Sequence, residues 1–373
     1  MKLDCNRALL AAACSAASSV IPNKPIQPLL GNILLTVTDG TATLTATDSE
    51  VTLVHSVSDV TADGDGKLLL PAKRVSEILK EMRDERVNVV TDKNTIRLRG
   101  DFSEFKLPIA DPAEFPSNPI FVPERCIEVS GSMLRTMIRR TVFATDPDSG
   151  RYALGGVLFD ASDIKSVLRL AATDGRRMSV ISAPFTQKGD WSAGAVKSVI
   201  PPKALSLLGK TVPESNELVS VALLEASAIF ATEKTKIWTR LVEGRFPAYL
   251  DVIPKAFDLS IDLLAGGLHS IVRQAVILTS EESRGVDFEF SKGKLTLRSQ
   301  AADVGASEIK MPVSYDGDEV SIRLDPRFVS DFINCLAPET SVTLRMTDED
   351  NPLTLSTPDG SMYLIVPIVR ENS

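Results

Sequence analysis

Histidine is the scarcest catalytic side chain in this sequence, and its scarcity limits the chemistry that the chain can support. His55 and His269 are the two histidines among 373 residues, and they lie far apart. No His-Glu-x-x-His, Gly-x-Ser-x-Gly or glycine-rich phosphate loop is present. These absences lower the expectation of an enzyme, and we expect no metal or cofactor.

Cysteine is also scarce, and its positions argue against both a zinc site and a disulfide framework. The four cysteines lack metal-ligand spacing and fall within apolar patterns: Cys5, Cys14, Cys126 and Cys335. We therefore interpret them as buried thiols of a protein in the reducing cytoplasm.

Long apolar runs and an excess of basic charge are missing as well. The sequence contains no run of about 18 apolar residues, so we expect no membrane-spanning helix. The formal net charge is −8. This charge argues against a protein that holds nucleic acid by neutralising phosphates over its whole surface. It leaves open a basic surface within an acidic protein.

What the chain does contain is one pattern repeated three times. Each third opens with apolar residues at helical spacing, over residues 6–20, 130–142 and 262–276. Alternating strands follow, and then a strand that ends at proline just before a second helical pattern. Proline suits the first turn of a helix, where its missing N–H would be unpaired anyway. Further alternating strands close each third.

The repeat length of roughly 120–130 residues suits a whole domain. We therefore predict an α+β fold of three similar domains, each with two helices and about eight mostly antiparallel strands. The predicted domains are residues 1–122, 123–254 and 255–373, with proline-containing connectors near 116–123 and 254–257.

One stretch near the middle of the chain, residues 171–179, shares a short motif with the first third. Asp174-Gly175 stands between two alternating runs, which predicts a hairpin because glycine readily takes the positive φ of a tight turn. Ala46-Thr47-Asp48 repeats the Ala-Thr-Asp core between two other strands. The repetition predicts one turn that is common to both units, with the residues after the aspartate carrying the difference.

The sequence resembles the bacterial DNA polymerase III β subunit family, the replicative sliding clamps, over essentially its full length. Six segments in the family's order and spacing carry the resemblance: residues 28–35, 70–73, 151–154, 172–177, 241–249 and 366–368. The Ala-Thr-Asp-Gly-x-Arg and Gly-Arg-Phe-Pro segments are specific in combination.

The resemblance implies a head-to-tail homodimer that closes into a ring around double-stranded DNA, with helices lining the hole. Such a ring holds DNA topologically and needs only a modest basic inner surface. The DNA-contacting positions that the resemblance implies are Lys24, Lys73, Arg135, Arg139, Tyr152 and Lys203. Solvated lysines and arginines on exposed helix faces are the alternative interpretation.

The resemblance also implies a cleft that binds short peptides of the Gln-Leu-x-Leu-Phe kind. The expected partners are the polymerase III alpha subunit, the clamp-loader delta subunit, other DNA polymerases with such motifs, and repair proteins. The matching positions are Leu154, Thr173, Gly175, Arg176, Arg177, Met178, Pro247, Val252, Leu364, Val366, Pro367 and Ile368. Asp251 stands where an arginine is common, and Val366 and Ile368 replace frequent methionines.

For the dimer interface, the resemblance implies an apolar contact made by Phe105, Ile277 and Leu278. Some relatives place basic residues of the first domain against acidic residues of the third. Here Asp101 and Glu104 occupy the first side, and residues 300–307 carry Asp303 as their one charge. The usual electrostatic pattern is therefore lost.

Three function hypotheses follow. The first is a non-catalytic processivity clamp at the bacterial nucleoid. The second is a clamp paralogue that serves as a protein-interaction hub without encircling DNA, which the altered interface charges would favour. The third is an enzyme on a three-domain scaffold, for which the sequence supplies neither a nucleophile–base pair nor a metal cluster.

Overall fold

The fold is described from a computed structural model. It describes residues 1–25, 27–92, 95–116, 124–150, 152–162, 166–189, 197–212, 215–279, 285–301 and 304–369, without the side chain of Tyr152. The predicted connector at 116–123 therefore lies largely outside the described residues, as do Arg151 and the tail Glu371-Asn372-Ser373.

Each third of the chain contains two helices and eight or nine described strands. The first third contains β1 (Lys2–Asn6), α1 (Arg7–Ser18), β2 (Asn32–Thr38), β3 (Thr41–Thr47), β4 (Val51–Val57), β5 (Val60–Asp63), β6 (Gly66–Pro71), α2 (Ala72–Glu81), β7 (Arg86–Asp92), β8 (Thr95–Arg99) and β9 (Glu104–Pro108). The middle third contains β10 (Cys126–Ser130), α3 (Gly131–Thr141), β11 (Val157–Asp160), β12 (Val167–Thr173), β13 (Arg177–Pro184), β14 (Thr186–Lys188), β15 (Lys197–Ile200), α4 (Pro202–Thr211), β16 (Leu218–Leu223), β17 (Ser227–Ala231) and β18 (Thr235–Arg240). The last third contains β19 (Leu259–Leu264), α5 (Ala265–Val276), β20 (Val286–Ser291), β21 (Lys294–Ala301), β22 (Gly305–Pro312), β23 (Val320–Leu324), α6 (Pro326–Ile333), β24 (Ser341–Met346), β25 (Leu353–Ser356) and β26 (Met362–Ile365).

These elements confirm the α+β class and the two helices per third. The second helix of each third begins at or directly after a proline, as the sequence predicts. One helix boundary was wrong. Residues 262–264, predicted as helix, continue β19, because the alternating pattern Leu259, Ile261, Leu263 buries one face of that strand.

The described residues form two compact units that divide the middle third between them. The first unit comprises residues 1–135, 185–192 and 203–241, and the second comprises 136–184, 193–202 and 242–373. The boundaries of the three predicted domains stay a prediction.

The first unit contains two antiparallel sheets. One has nine strands in the order β14-β10-β16-β17-β18-β4-β3-β2-β6, and the other has five in the order β5-β1-β7-β8-β9. In the nine-stranded sheet, β18 of the middle third pairs with β4 of the first third through Lys236 opposite Val54. A single hydrogen-bonded ladder therefore crosses from one third to the next.

The second unit repeats this arrangement. Its eight-stranded sheet has the order β15-β11-β12-β13-β26-β25-β24-β19, and its four-stranded sheet has the order β22-β21-β20-β23. Here β13 of the middle third pairs with β26 of the last third, with Met178 opposite Leu364. This junction lies next to the stretch around Asp174 that the sequence singled out.

Three cysteines are buried and free, and Cys335 is half-buried and free. Burial raises the pKa of the Cys14 thiol to about 12. The interpretation of Cys5, Cys14 and Cys126 as buried, uncharged thiols is confirmed, and that of Cys335 holds only in part.

An ion pair between buried Arg140 and solvent-accessible Asp359 joins distant parts of the second unit. The Arg140 guanidinium, which is 5% exposed, donates to the carboxylate of Asp359 at 2.9 Å and to the carbonyl of Cys335 at 2.5 Å. Burial alone would raise the pKa of Asp359, but hydrogen bonds from Thr357, Ser361 and Arg140 lower it to about 2. The folded state therefore favours the ionised carboxylate.

This lowered pKa predicts acid sensitivity that depends on Asp359. Its contribution is present above the unfolded carboxyl pKa of about 4 and is lost as the pH falls towards 2. We expect Asp359→Asn to lower the free energy of unfolding at pH 7 by about 2 kcal/mol. Urea unfolding of both proteins at several pH values tests this, because the difference should shrink between pH 4 and 2. A difference that does not change with pH would contradict the prediction.

Candidate functional site

The hairpin between β12 and β13 is a tight turn built by the side chains of Thr173 and Asp174. Asp174 Oδ1 accepts hydrogen bonds from the backbone N–H of Arg176 at 2.9 Å and of Arg177 at 3.0 Å. Thr173 Oγ1 donates to the carbonyl of Arg177 at 2.6 Å and accepts from Gly175 N–H at 3.1 Å. Gly175 has φ +86°, which confirms the predicted turn.

The first third repeats this turn between β3 and β4. Asp48 Oδ1 accepts from the N–H of Glu50 at 2.9 Å and of Val51 at 2.7 Å. Thr47 Oγ1 donates to the Val51 carbonyl at 3.2 Å and accepts from Ser49 N–H at 3.1 Å. The prediction that the Ala-Thr-Asp stretches share one turn is confirmed.

The two turns differ in what their second carboxylate oxygen binds. Asp48 Oδ2 pairs with the ammonium of Lys203, whereas Asp174 Oδ2 accepts from Nε of Arg177 at 2.9 Å. In the first turn the cation comes from α4, and in the second it comes from the hairpin itself. The charge of Lys203 is thus balanced within the protein.

Arg177 was predicted as a cleft residue, but its guanidinium is used inside the second unit. The side chain is 10% exposed. Nη1 pairs with Asp331 at 2.5 Å, Nη2 donates to the carbonyl of Phe143 at 2.8 Å, and the guanidinium lies 4.5 Å from the centre of the Phe328 ring. All three guanidinium nitrogens therefore have partners, and Arg177 holds the hairpin against α6.

Behind this hairpin lies an apolar cluster. Its buried members are Leu158, Ala171, Met178, Val180, Val199, Tyr249 and Leu364, and half-buried Val242, Phe246, Ile253 and Met362 pack against them. The structure thus brings together Met178 and Leu364, two of the predicted cleft residues. The rings of Phe246 and Tyr249 meet edge to face with their centres 6.1 Å apart.

A cavity of about 450 Å³ opens beside this cluster. Its lining residues are Leu158, Lys197, Val199, Gly244, Arg245, Phe246, Pro247, Ala248, Tyr249, Leu250 and Asp251. Among the predicted cleft residues, Pro247 lines this cavity. Apolar walls with a few charged groups at the rim suit a small side-chain anchor.

Tyr249 is anchored by a buried carboxylate. Asp160, 2% exposed, accepts hydrogen bonds from Tyr249 Oη at 3.0 Å and from Ser162 N–H at 3.1 Å, and Lys197 Nζ lies 3.4 Å away. Burial and the neighbouring carboxylate raise the pKa of Tyr249, so its hydroxyl stays protonated and donates. This contact fixes the ring that forms one wall of the cavity.

Sequence reasoning missed Phe246, Tyr249 and Asp160. The first two stand inside the segment of residues 241–249 that carries part of the family resemblance, so that segment could have identified them. Asp160 ends a strand far from it in sequence, and no local pattern points to it.

Of the remaining predicted cleft residues, four are exposed or half-buried and one is buried. Val252 is 59% exposed, Val366 46% and Ile368 36%, and Pro367 is half-buried. Val366 N–H donates to the carbonyl of Arg176 at 2.8 Å, which joins the end of the last strand to the hairpin. Leu154, 6% exposed, lies in the short 3-10 helix of residues 152–155.

The predicted DNA-contacting cations fall into two groups. Lys24, Lys73 and Arg139 are exposed. Arg135 donates to the carbonyl of Val212 at 2.9 Å, and Lys203 donates to the carbonyl of Val20 at 2.7 Å besides pairing with Asp48. Tyr152 lies in the 3-10 helix of residues 152–155, and its side chain is outside the described part.

The predicted interface residues lie at sheet edges or beside them. Phe105 is half-buried on β9, the last strand of the five-stranded sheet. Ile277, just past α5, is 72% exposed. Leu278 Cδ1 lies 4.0 Å from where a Cβ at Gly305 would stand, next to β22, the last strand of the four-stranded sheet.

Within the described residues, no cluster of three or more histidine, cysteine, aspartate or glutamate side chains could hold a metal ion. Among the same residues, no helix is both long and apolar enough to cross a membrane.

Comparison with known proteins gives three matching domain families. Residues 1–119, 128–248 and 250–368 match the N-terminal, central and C-terminal domains of the DNA polymerase III beta subunit. Among curated relatives, the chain is 28% identical over 372 residues to the beta sliding clamp of Salmonella typhimurium, covering 99% of this chain and 100% of that one. It is 24% identical over 392 residues to the beta sliding clamp of Synechocystis, covering 99% of each.

Solved structures share the fold. The DNA polymerase III subunit beta of Pseudomonas aeruginosa matches with a TM-score of 0.89 and 24% identity, covering 99% of this chain and 100% of that one. The DNA polymerase sliding clamp of Bacillus subtilis matches with a TM-score of 0.89 and 22% identity, covering all of both chains.

The partners of Arg177 predict a structural penalty when it is removed. We expect Arg177→Ala to lower the free energy of unfolding by about 3 kcal/mol, because it leaves Asp174 and Asp331 without their cation. The matched control is Arg176→Ala, since Arg176 is exposed. Thermal and urea unfolding measure both. Equal free energies of unfolding for Arg177→Ala and Arg176→Ala would contradict the structural role of Arg177.

Proposed function

The chain belongs to the DNA polymerase III beta subunit family, and from this membership we infer that it acts as a DNA sliding clamp. The family is the non-catalytic processivity subunit of a replicative polymerase. The match of all three domain families, in order, carries this conclusion. The relatives favour a clamp over the alternative of an interaction hub.

The ring is formed by two copies of the chain that contact each other head to tail. Two features support this proposal: β9 and β22 both lie at the end of a sheet in the described chain, and Ile277 is 72% exposed. In a head-to-tail contact, two different surfaces of the chain meet. Such contacts close into a ring when the rotation from one copy to the next brings the last copy back to the first. The site residues on this face are Phe105, Ile277 and Leu278.

Double-stranded DNA passes through this ring without sequence preference. The exposed side chains of Lys24, Lys73 and Arg139 supply positive charge, while the net charge of the chain is −8. A few cations suffice for a ring, because topology retains the DNA and weak phosphate contacts permit sliding. Arg135 and Lys203 contribute less, since both already bind groups of the protein.

The cleft beside the β12–β13 hairpin binds short linear motifs of partner proteins. Its anchor is the apolar cluster around Met178, Leu364 and Tyr249, and its exposed rim includes Val252 and Val366. Met178 has a flexible side chain that adapts to different ligands. The partners are the polymerase alpha subunit, the clamp-loader delta subunit, and other polymerases and repair proteins that carry the motif. They act on the nucleoid, in the cytoplasm.

Sliding on DNA can be tested directly. A bacterial clamp loader assembles the labelled protein on a nicked circular plasmid, and gel filtration separates bound from free protein. We expect bound protein on the circle and its release once a restriction enzyme linearises the plasmid. Retention on the linear molecule with free ends would contradict topological binding.

Peptide binding can be tested at the rim of the cleft. We expect Val252→Glu to weaken binding of a Gln-Leu-x-Leu-Phe peptide at least tenfold, because a charge replaces an apolar contact without disturbing the core. Leu9→Glu is the matched control, since Leu9 is a 43% exposed apolar residue of the first unit. Fluorescence anisotropy of a labelled peptide measures both. If Val252→Glu binds the peptide as tightly as the unmodified protein, this surface is not part of the peptide-binding cleft.

A further inference from the structure

Residues 242–253, here called the connector, carry two of the predicted cleft residues. These two, Pro247 and Val252, are both exposed. Other connector side chains, among them Phe246 and Tyr249, pack into the apolar cluster on the eight-stranded sheet. The connector therefore covers part of one face of that sheet and supplies one wall of the proposed cleft.

The cavity of about 450 Å³ lies beneath part of the connector. Residues 244–251 line it from the connector, and Leu158, Lys197 and Val199 line it from β11 and β15. Atoms that face open space have no packing partners on that side. Packing alone therefore holds this stretch of the connector weakly, and its position depends on other contacts.

Two hydrogen bonds join the connector to the sheet. At its start, the N–H of Val242 donates to the carbonyl of Val199 at 2.8 Å. Further along, Tyr249 Oη donates to the carboxylate of Asp160 at 3.0 Å. Tyr249 is 3% exposed and Asp160 is 2% exposed, so water competes little for this second bond. The second bond is the one that lies among the cleft residues of the connector.

The surroundings of Asp160 keep it ionised and fix its orientation. Burial would raise the pKa of Asp160, but hydrogen bonds from Ser162 and Tyr249 and the nearby ammonium of Lys197 lower it. The N–H of Ser162 donates to Oδ1 at 3.1 Å, and Lys197 Nζ lies 3.4 Å from Oδ2, which also accepts from Tyr249. A charged acceptor makes this hydrogen bond stronger than one between neutral groups.

The backbone around Tyr249 links this anchor to both cleft residues. The N–H of Tyr249 donates to the carbonyl of Pro247 at 2.8 Å. Tyr249 is also the first residue of the 3-10 helix Tyr249–Val252, and Val252 is its last. A helical turn fixes the positions of its first and last residues relative to each other. The position of the Tyr249 ring therefore determines where Pro247 and Val252 stand.

We propose that Asp160 is a positioning residue of the peptide cleft, which acts through Tyr249 to hold the connector in its binding position. This role rests on the proposed peptide-binding function of the cleft. Asp160 is itself too buried to touch a peptide. A connector that already stands in its binding position loses less conformational entropy when a peptide binds.

A positioning role predicts a kinetic signature for Tyr249→Phe, which keeps the ring and removes the hydroxyl. We expect peptide affinity to fall roughly tenfold, as for the loss of one hydrogen bond to a charged group. The association rate constant should carry this loss, because fewer molecules hold the connector in its binding position. The dissociation rate constant should not change, since the bound peptide makes the same contacts. Stopped-flow fluorescence with a labelled Gln-Leu-x-Leu-Phe peptide measures both rate constants.

Tyr315→Phe is the matched control for the loss of a tyrosine hydroxyl. Tyr315 Oη donates to the carbonyl of Asp318 at 2.6 Å, between β22 and β23. We expect both rate constants to equal those of the unmodified protein. In Tyr249→Phe, faster dissociation with unchanged association would show that the hydroxyl acts on the bound peptide, and would overturn the positioning role.

A double-mutant cycle tests whether Asp160 acts through Tyr249. We expect Asp160→Ala to weaken peptide binding about as much as Tyr249→Phe does. The double variant Asp160→Ala/Tyr249→Phe should then bind no more weakly than Asp160→Ala, because both changes break the same bond. Losses that add in the double variant would overturn this route. Urea unfolding checks that each variant folds, and if Asp160→Ala does not, the rate constants of Tyr249→Phe decide.

Failure of the cleft itself gives a different result. If the unmodified protein does not bind the peptide, the proposed peptide-binding function is wrong, and the role of Asp160 is overturned with it. If the unmodified protein binds and Tyr249→Phe matches it in both rate constants, the positioning role alone is overturned.

Discussion

The need to pair the backbone groups of exposed strand edges is the constraint on which this structure depends. An unpaired edge leaves a row of N–H and C=O groups available to another strand. The chain satisfies this need twice, where β18 pairs with β4 and where β26 pairs with β13. A threefold sequence repeat supplies three such pairs of edges. Two are used within the chain, and the third pair, β9 and β22, can be satisfied by a second copy.

The charged side chains divide between those paired within the protein and those exposed to solvent. Two of the cations predicted to contact DNA bind groups of the protein: Arg135 donates to the Val212 carbonyl, and Lys203 pairs with Asp48. Arg177, predicted to line the cleft, pairs with Asp174 and Asp331. The exposed cations Lys24, Lys73 and Arg139 remain. A clamp must hold DNA without stopping on it, and a chain of net charge −8 suits that task.

Local patterns in the sequence predicted the fold well, because the features that repeat are local. Alternation identified the strands, proline marked the starts of α4 and α6, and the Ala-Thr-Asp stretches predicted a shared turn. The candidate site was predicted less completely. Arg177 was assigned to peptide contact because its decisive partners, Asp331 and Phe328, lie about 150 residues away in the chain. Asp160 was missed for the same reason, since its role depends on Tyr249 from another element. The contacts that define a site join segments that are distant in the chain. One sequence alone does not show which of these segments come into contact.

The central claim is that one kind of strand junction, made twice within the chain, is made again between copies. Backbone hydrogen exchange followed by mass spectrometry across a range of protein concentrations tests it most directly. As the dimer forms, peptides covering residues 104–108 and 305–312 should become protected together, to the level of 51–57 and 235–240. A dimer in which neither edge gains protection would contradict the account.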